Sequence, residues 1–289
     1  MEPECPDAAG AALTFFEPEG PPAPLVFDSP HSGTCYPADF RPAVPLRILE
    51  GGEDRFVDRL IADAPAHGIA VLAARCARTY VDANRAPDDL DPLLVGDQLP
   101  RRAHPTSKAA AGLGVVFRLI GPGIPIYDRT LTPAEIQARV DRYWWPYHRA
   151  LDRLLEERVA AEGAVWHVNW HSMQSVGSTL SPDEGSRRPD FALGDLDGRA
   201  CEPAFTAHAK ACLEAFGYAV RVNDPYAGAE ILHRYGRPDR GRHSLQIEIN
   251  RALYMNEQTL EAHAGLEPLR VNLGRLALAL AAWTARRVA

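Results

Sequence analysis

Four polar clusters contain the residue types that bind a metal ion or move a proton. They are His31 in SPHSG, Glu53 with Asp54 in GGEDRFVD, His171 in NWHSM, and Glu248 in LQIEIN. Two histidines and a carboxylate make a zinc site with an open coordination position, where water becomes nucleophilic near neutral pH. Glu248 would serve as general base and then as acid to a leaving amine. Its carboxylate interrupts an apolar alternation and is costly to bury without a partner, whereas a single histidine such as His31 could equally cap a turn.

A second cluster, RTYVDANR, places Arg78, Asn84 and Arg85 close together in the sequence. Guanidinium groups bind carboxylates bidentately, so Arg85 with Asn84 could hold a substrate carboxylate. Arg78 could polarise a scissile carbonyl and stabilise the oxyanion that develops on it. The alternative is structural, because clustered charges also form salt networks. The acidic residues available for such a network are Asp82, Asp88, Asp89 and Asp91.

Strands that alternate with helices must position these clusters. The predicted strands are 25–28, 69–74, 78–84, 164–170, YAVRV and SLQIEIN. The predicted helices are 53–67, 202–216, 228–235, one that begins at Pro133 behind the N-cap Thr132, and one after Pro268. This order predicts an α/β fold, a single domain with a mixed, mostly parallel sheet flanked by helices. Ligands of such sheets bind beyond the strand ends, which is where the polar clusters fall.

Five motifs in a fixed order give the sequence a family resemblance. They are SPHSG, ED-x-x-VD-x-L, Y-V-D-x-N-R, W-H-S-M and G-x-H-S-L-Q-I-E-I-N-R-x-L-Y-M, between about residues 24 and 257. Together they resemble the N-formylglutamate amidohydrolase family, which is similar in fold to zinc carboxypeptidases and aspartoacylase. The resemblance implies a phosphorylase/hydrolase-like fold, one zinc ion per chain and hydrolysis of the N-acyl bond of an amino acid with a free carboxylate. Its leading substrate is N-formyl-L-glutamate, as in histidine breakdown.

The resemblance also implies a set of metal ligands. His31 and His171 match the zinc histidines of the family. Related peptidases carry a glutamate three residues after the first histidine, but that position is Thr34 here, so the carboxylate ligand must come from elsewhere. Asp54 fits the family pattern better than Glu53 because it keeps its distance to VDRL. The choice between these two carboxylates stays open at this point.

The same resemblance assigns the residues that act on substrate. Glu248 matches the catalytic acid/base, and Asn84 with Arg85 matches the anchor of the substrate carboxylate. Arg78 stands at nearly the spacing of the arginine that stabilises the oxyanion. The implied reaction joins these roles, since Arg85 orients the bond that Glu248 helps to break.

The segment DPYAGAEILHRYG offers one more candidate. A comparable stretch in the resembled family helps to enclose substrate, and Arg234 is the residue here that could contact a side-chain carboxylate. Arg234 also stands four residues after Glu230, the spacing of a helical ion pair, and could equally be a solvated face residue. Both interpretations remain open.

Composition excludes several kinds of partner. The chain has 38 acidic and 31 basic residues, a formal charge of −7, and no Lys/Arg-rich run, which argues against nucleic acid or an anionic membrane. The acidic N-terminus lacks a secretory pattern, and the five cysteines include no C-x-x-C pair, so we expect free thiols in a cytoplasmic protein. The expected partner is a small-molecule substrate, and the oligomeric state is not fixed.

Domain organisation and two rival functions complete the expectations. Residues 1–23 are rich in Pro, Glu and Ala and are predicted to form a flexible arm, with one amidohydrolase domain over 24–289. One rival function is hydrolysis of another N-acyl amino acid or a peptide. The other is a metal-free module that binds carboxylates without catalysis. The two would differ in whether metal copurifies with the protein.

Overall fold

The main sheet has seven strands in the part of the chain that the computed structural model describes, residues 12–179, 181 and 183–288. Its members are β1 (Leu13–Phe16), β2 (Leu25–Ser29), β3 (Ala70–Ala74), β6 (Val165–Met173), β7 (Phe191–Gly194), β8 (Val220–Val222) and β9 (Arg242–Asn250). Two further strands, β4 (Leu119–Gly121) and β5 (Ile124–Pro125), form a small antiparallel pair. The order across the main sheet is β1-β3-β2-β6-β9-β7-β8.

Most neighbours in the main sheet run parallel. Strands β3, β2, β6 and β9 pair in parallel, as do β7 and β8, whereas β7 pairs antiparallel with β9. All five residues of β2 are buried, which is typical of a parallel strand covered on both faces. The predicted fold class, a mixed and mostly parallel sheet flanked by helices, is confirmed.

The helices follow the sequence signals where those signals are strong. They are α1 (Leu46–Leu49), α2 (Val57–Leu60), α3 (Pro92–Val95), α4 (Ser107–Ala110), α5 (Pro133–Arg139), α6 (Trp145–Glu162), α7 (Pro203–Ala215), α8 (Glu230–Tyr235) and α9 (Leu266–Val288). A π-helical turn, Val140–Trp144, joins α5 to α6. Thr132 caps α5 in the predicted capping box with Glu135. Within the described residues, no helix combines the length and apolarity needed to cross a bilayer.

Two compact units can be distinguished by the proximity of their Cα atoms. Among described residues, the first consists of the chain up to Thr14 with Pro30–Arg55 and Ala74–Ala150. Its core is rich in aromatic rings, and the buried guanidinium of Arg139 lies 4.1 Å from the ring centroid of Tyr80. The core therefore holds a cation against π faces, where desolvation strengthens the attraction.

The second unit consists of Phe15–Ser29, Phe56–Ala73 and the chain from Leu151 on. Successive residues of a strand point to opposite faces of its sheet, and β6 uses this alternation fully. Trp166, Val168 and Trp170 belong to the apolar core of this unit, so His167, Asn169 and His171 occupy the opposite face. The sequence thereby sets an apolar side and a polar side on one buried strand.

Two predicted elements are wrong. Residues 78–84 form turns and no strand, because the Asp82 side chain accepts a hydrogen bond from the backbone N–H of Asn84 and so favours a local turn. The helix predicted over 53–67 is reduced to α2 and a 3₁₀ turn at Ala64–His67, since Phe56 takes a left-handed conformation with φ of 67°.

Three smaller differences concern the N-terminal segment, the thiols and β6. Strand β1 lies within the segment predicted as an arm, whose first eleven residues fall outside the described part of the chain. Cys76, Cys201 and Cys212 are free as expected, but Cys35 is disulfide-bonded, so the expectation of free thiols is wrong there. β6 extends to Met173 and so contains His171, which was expected in a loop.

Candidate active site

His31 lies on a short loop that follows β2 and is fixed by backbone contacts. The N–H of Cys35 donates to the carbonyl of Arg75, and the N–H of Ala77 donates to that of Cys35, both at 2.9 Å. At Gly33 an added Cβ would stand 2.5 Å from the carbonyl oxygen of Cys76, closer than real Cβ atoms come. The loop can therefore approach this backbone only with glycine at that position.

Two carboxylates face the ring of His31. Its Nε2 lies 2.7 Å from Oδ1 of Asp82, and its Nδ1 lies 3.3 Å from Oδ2 of Asp54. The backbone N–H of Asp54 also donates to the carbonyl of His31 at 3.0 Å. All three residues are buried. Because a carboxylate accepts from Nε2–H, the ring lone pair is directed to Nδ1, on the side of Asp54.

Arg78 links the two carboxylates. Its Nε and Nη2 donate to Oδ2 of Asp82 at 3.1 and 2.8 Å, and Nη1 stands 3.7 Å from Oδ1 of Asp54. Burial by itself raises the pKa of Asp82, but Arg78, His31 and Arg85 outweigh it and hold that pKa well below its ordinary value. Asp82 is thus an anion in the folded protein and can orient both its partners.

Asn84 and Arg85 follow in the same turn. Asn84 is buried and its N–H donates to Oδ1 of Asp82 at 2.7 Å. Arg85 donates from Nε to the carbonyl of Leu113 at 3.1 Å and from Nη1 to the carbonyl of Asn84 at 3.0 Å. These bonds to backbone oxygens hold the guanidinium in a fixed orientation.

Glu53 is separated from this group although it is adjacent to Asp54 in sequence. The phenol of Tyr36 donates to one of its oxygens, and Nη1 of Arg55 donates to the other at 3.2 Å. Burial, reinforced by the negative charge of Glu53, raises the pKa of Tyr36. Of the two neighbouring carboxylates, Asp54 is therefore the one that faces His31.

His171 and Glu248 lie side by side on neighbouring parallel strands. Residue His171 of β6 is the register partner of Glu248 in β9, and both are buried. Register partners on adjacent strands point to the same face of a sheet. Nε2 of Gln246, two residues earlier on β9, donates to Oε1 of Glu248 at 2.9 Å. The carboxylate predicted from the apolar alternation therefore stands beside the predicted histidine.

The side chains that surround His171 were not among the candidates predicted from the sequence. Its Nε2 lies 2.7 Å from Oδ1 of Asn169, and Nδ2 of Asn169 donates to Oδ1 of Asp28 at 2.7 Å. Nε2 of His167 lies 2.9 Å from the same oxygen of Asp28, so His167 is part of a polar row. The alternation H-x-N-x-H in β6 is the signal that could have revealed it.

The predicted contact for a side-chain carboxylate, Arg234, is engaged within its own helix. Its Nε donates to Oε1 of Glu230 at 2.9 Å, the pairing that the sequence had left open. No sequence motif had indicated Arg188, a buried guanidinium that donates to both oxygens of Asp183 at 2.8 and 2.9 Å. Arg188 lies over the ring of Tyr226 at 5.1 Å from its centroid.

Three of the predicted ligands could hold a metal ion. Ligand atoms of His31, Asp54 and His171 all lie within 4.8 Å of one another, and each residue is buried. Two imidazole nitrogens and a carboxylate oxygen form a donor set that suits zinc, and other divalent transition metals accept the same donors. The residues present therefore fit a metal ion, and the group contains Asp54 and not Glu53.

Polar side chains at the ends of parallel strands, with three possible metal ligands among them, define the chain as an α/β enzyme. A model of the family "N-formylglutamate amidohydrolase" matches residues 23–255. The chain therefore belongs to the N-formylglutamate amidohydrolase family, as its motifs indicated.

Individual relatives agree with this assignment. The chain is 31% identical over 276 residues to an N-formylglutamate deformylase of Pseudomonas aeruginosa, covering 92% of this chain and 96% of the relative. A protein of the same name from Pseudomonas putida is 29% identical over 286 residues, covering 91% and 94%. The crystal structure of an N-formylglutamate amidohydrolase from Ralstonia eutropha JMP134 superposes with a TM-score of 0.90 at 42% identity, covering 96% of this chain and all of that one.

Proposed function

We propose that this chain hydrolyses N-formyl-L-glutamate to formate and L-glutamate, with one zinc ion held by His31, Asp54 and His171. The observation that carries the proposal is the group of three ligand atoms within 4.8 Å in a member of this family. Bound zinc supplies Lewis-acid polarisation and lowers the pKa of water. Degradation of histidine in the cytoplasm is the setting we propose for the reaction.

Glu248 moves the proton in the proposed reaction. Its carboxylate accepts a proton from the attacking water and returns it to the amide nitrogen as the C–N bond breaks, so that the amine leaves neutral. The bond from Gln246 orients one carboxylate oxygen without adding charge. Residue Glu248 is buried, with 9% of its surface exposed, which limits competing solvent.

Arginines bind the charged parts of the substrate in this proposal. Arg85, with Asn84, holds the α-carboxylate, since its bonds to two carbonyl oxygens orient the guanidinium. Arg78 stabilises the negative charge that develops on the formyl oxygen, because Asp82 and Asp54 hold it in a fixed position. Arg234 contacts the side-chain carboxylate, and substrate would have to compete there with Glu230.

The first experiment combines elemental analysis with formate release. We expect about one zinc per chain and chelator-sensitive release of formate from N-formyl-L-glutamate. Glu248→Gln should keep the metal and lose about 10²- to 10⁴-fold in kcat, because general acid–base catalysis contributes that much. Glu261→Gln, an exposed site, is the matched control and should behave like wild type.

Each contrary result has a defined meaning. Zinc without formate release would support hydrolysis of a different N-acyl amino acid. A protein that holds no metal, and gains no activity when zinc is added, would contradict the proposed reaction and favour a carboxylate-binding module. Unchanged kcat in Glu248→Gln would remove Glu248 from the chemistry.

The role of Arg234 is tested by substrate choice. In Arg234→Gln we expect KM for N-formyl-L-glutamate to rise about tenfold, while KM for N-formyl-L-norleucine, which lacks the side-chain carboxylate, stays the same. Arg188→Gln is the comparison, because Arg188 is a second guanidinium in the same unit. Burial lowers the pKa of Arg188, but its hydrogen bonds to Asp183 and the charges of Tyr226, Asp183 and Glu248 raise it above its ordinary value. If only Arg188→Gln discriminates between the substrates, the assignment of Arg234 is wrong.

A further inference from the structure

A buried polar row occupies the face of the sheet opposite the apolar core of the second unit. It contains Asp28 of β2, His167 and Asn169 of β6, and Ser244 of β9, each at most 1% exposed. Asp28 is the register partner of Asn169, and His167 that of Ser244, so the row crosses three adjacent strands. A carboxylate buried this deeply is costly unless donors surround it.

The hydrogen bonds of the row have a defined direction. The Asp28 carboxylate only accepts, so the group of Asn169 that faces it at 2.7 Å must be the amide NH₂. The amide oxygen of Asn169 then points the other way, to Nε2 of His171 at 2.7 Å. An oxygen accepts, so Nε2 carries the hydrogen and the lone pair of the His171 ring sits on Nδ1.

The reversed arrangement is excluded by the same chemistry. Turning the Asn169 amide over would place its oxygen against the Asp28 carboxylate and its NH₂ against the ring. Two acceptors would then oppose each other in a buried position, which costs the full penalty of unmade hydrogen bonds. The charge of Asp28 therefore determines, through the amide of Asn169, which nitrogen of His171 is protonated.

The remaining members of the row hold Asp28 itself in place. Nε2 of His167 lies 2.9 Å from the oxygen that Asn169 also contacts, and Nδ1 of His167 lies 2.8 Å from Oγ of Ser244. The carboxylate is thus met by donors from two residues of β6. Its orientation is fixed before any ligand binds, and the Asn169 amide is oriented with it.

We propose that Asp28 is a positioning residue that, through Asn169, holds His171 in the tautomer whose Nδ1 binds the metal ion. The proposal deepens the proposed function and rests on His171 being a metal ligand. Neighbours that orient a ligating histidine are worth about 10- to 100-fold in metal affinity.

The test reads the tautomer directly in metal-free protein. In ¹⁵N-labelled wild type, long-range ¹H–¹⁵N NMR correlations should show His171 protonated at Nε2 alone, with the signal assigned by its loss in His171→Gln. In Asp28→Asn the new amide can face Asn169 with either end, so we expect a mixture of tautomers. Zinc affinity, measured by competition with a chelator, should weaken by about 10- to 100-fold.

Two further variants keep the test decisive. Asn169→Leu removes the amide that connects Asp28 to His171 but keeps a similar side-chain volume. It should give a mixture of His171 tautomers and weaker zinc binding, and it serves as the test if Asp28→Asn does not fold. Ser244→Ala is the matched control, because it alters the row on the far side of His167, and should keep the wild-type tautomer and zinc affinity. Folding is followed by circular dichroism throughout.

The outcomes separate this proposal from the function it rests on. A pure Nε2–H tautomer and wild-type zinc affinity in Asp28→Asn and Asn169→Leu would overturn the positioning role while leaving the hydrolase intact. A wild-type protein that binds no zinc, but whose His171 tautomer changes in these variants, would contradict the proposed function and the metal part of the inference, and uphold the control of the ring by Asp28.

Discussion

The rings of His31 and His171 are each oriented by a neighbouring oxygen, but the two oxygens differ in charge. Nε2 of each ring lies 2.7 Å from a side-chain oxygen, which belongs to the carboxylate of Asp82 in one case and to the amide of Asn169 in the other. The first ring meets a full negative charge directly. The second meets a neutral amide, with the charge of Asp28 one side chain further on. Orientation can therefore be fixed without placing an anion against the ring.

The largest effect on stability should come from removing the Asp82 carboxylate, which contacts the His31 ring directly. Asp82→Ala leaves Arg78 and His31 without their shared acceptor, so we expect the free energy of unfolding to fall by about 3–5 kcal/mol. Since the pKa of Asp82 is depressed, its contribution is fully present above the ordinary carboxylate pKa of about 4 and is lost as pH falls further. Urea unfolding at pH 7 measures the difference, with Asp88→Ala as control. Equal stability of Asp82→Ala and wild type would show that the carboxylate is dispensable.

The second largest effect on stability should come from placing a carboxylate beside His171, as Asp82 stands beside His31. Asn169→Asp would place two carboxylates in contact, because residue 169 meets Asp28 at 2.7 Å. One of them must then bind a proton or the pair repels, which raises the pKa of the pair in the folded state. We expect a loss of about 1–3 kcal/mol at pH 8 that shrinks at pH 5, whereas the loss in Asp82→Ala stays constant over that range and shrinks only at lower pH. An equally stable variant at pH 8 would mean that an anion is tolerated beside His171.

The smallest effect on stability is expected from a third histidine, His243, which stacks on an aromatic ring. The ring of His243 stacks on Trp166 at 5.0 Å, and its Nδ1 accepts from the N–H of Glu202 at 3.3 Å. Burial lowers the pKa of His243, so its contribution is fully present above the ordinary histidine pKa and is lost as pH falls below it. Between pH 7.5 and 5.5, wild type should lose up to about 1 kcal/mol more stability than His243→Gln. Parallel pH profiles would contradict this expectation.

The sequence predicted those parts of the fold and site that depend on local pattern. Runs of apolar and β-forming residues predicted β3, β6 and β9, and with β9 the strand position of Glu248, whereas His171 was placed one residue beyond the predicted end of β6. The capping box of Thr132 located the start of α5 because the signal is complete within four residues. Such features need no knowledge of distant contacts.

The features that sequence reasoning missed depend on distant partners or on side-chain competition. The turn at 78–84 reads as a strand by composition, but hydrogen bonds to Asp82 decide its conformation. Asp28 and Asn169 are 141 residues apart, so no local pattern could pair them. The choice of Asp54 over Glu53 likewise needed the positions of Tyr36 and Arg55, which hold Glu53 away.

The close approach at Gly33 has a consequence for how this protein can change over generations. Any side chain there meets the carbonyl oxygen of Cys76 at 2.5 Å, so a substitution displaces the loop that carries His31. A variant with another residue at position 33 can keep His31 in place only if residues 75–77 move as well. A gene library randomised over residues 32–36 should return active clones that vary at several positions and keep glycine at this one.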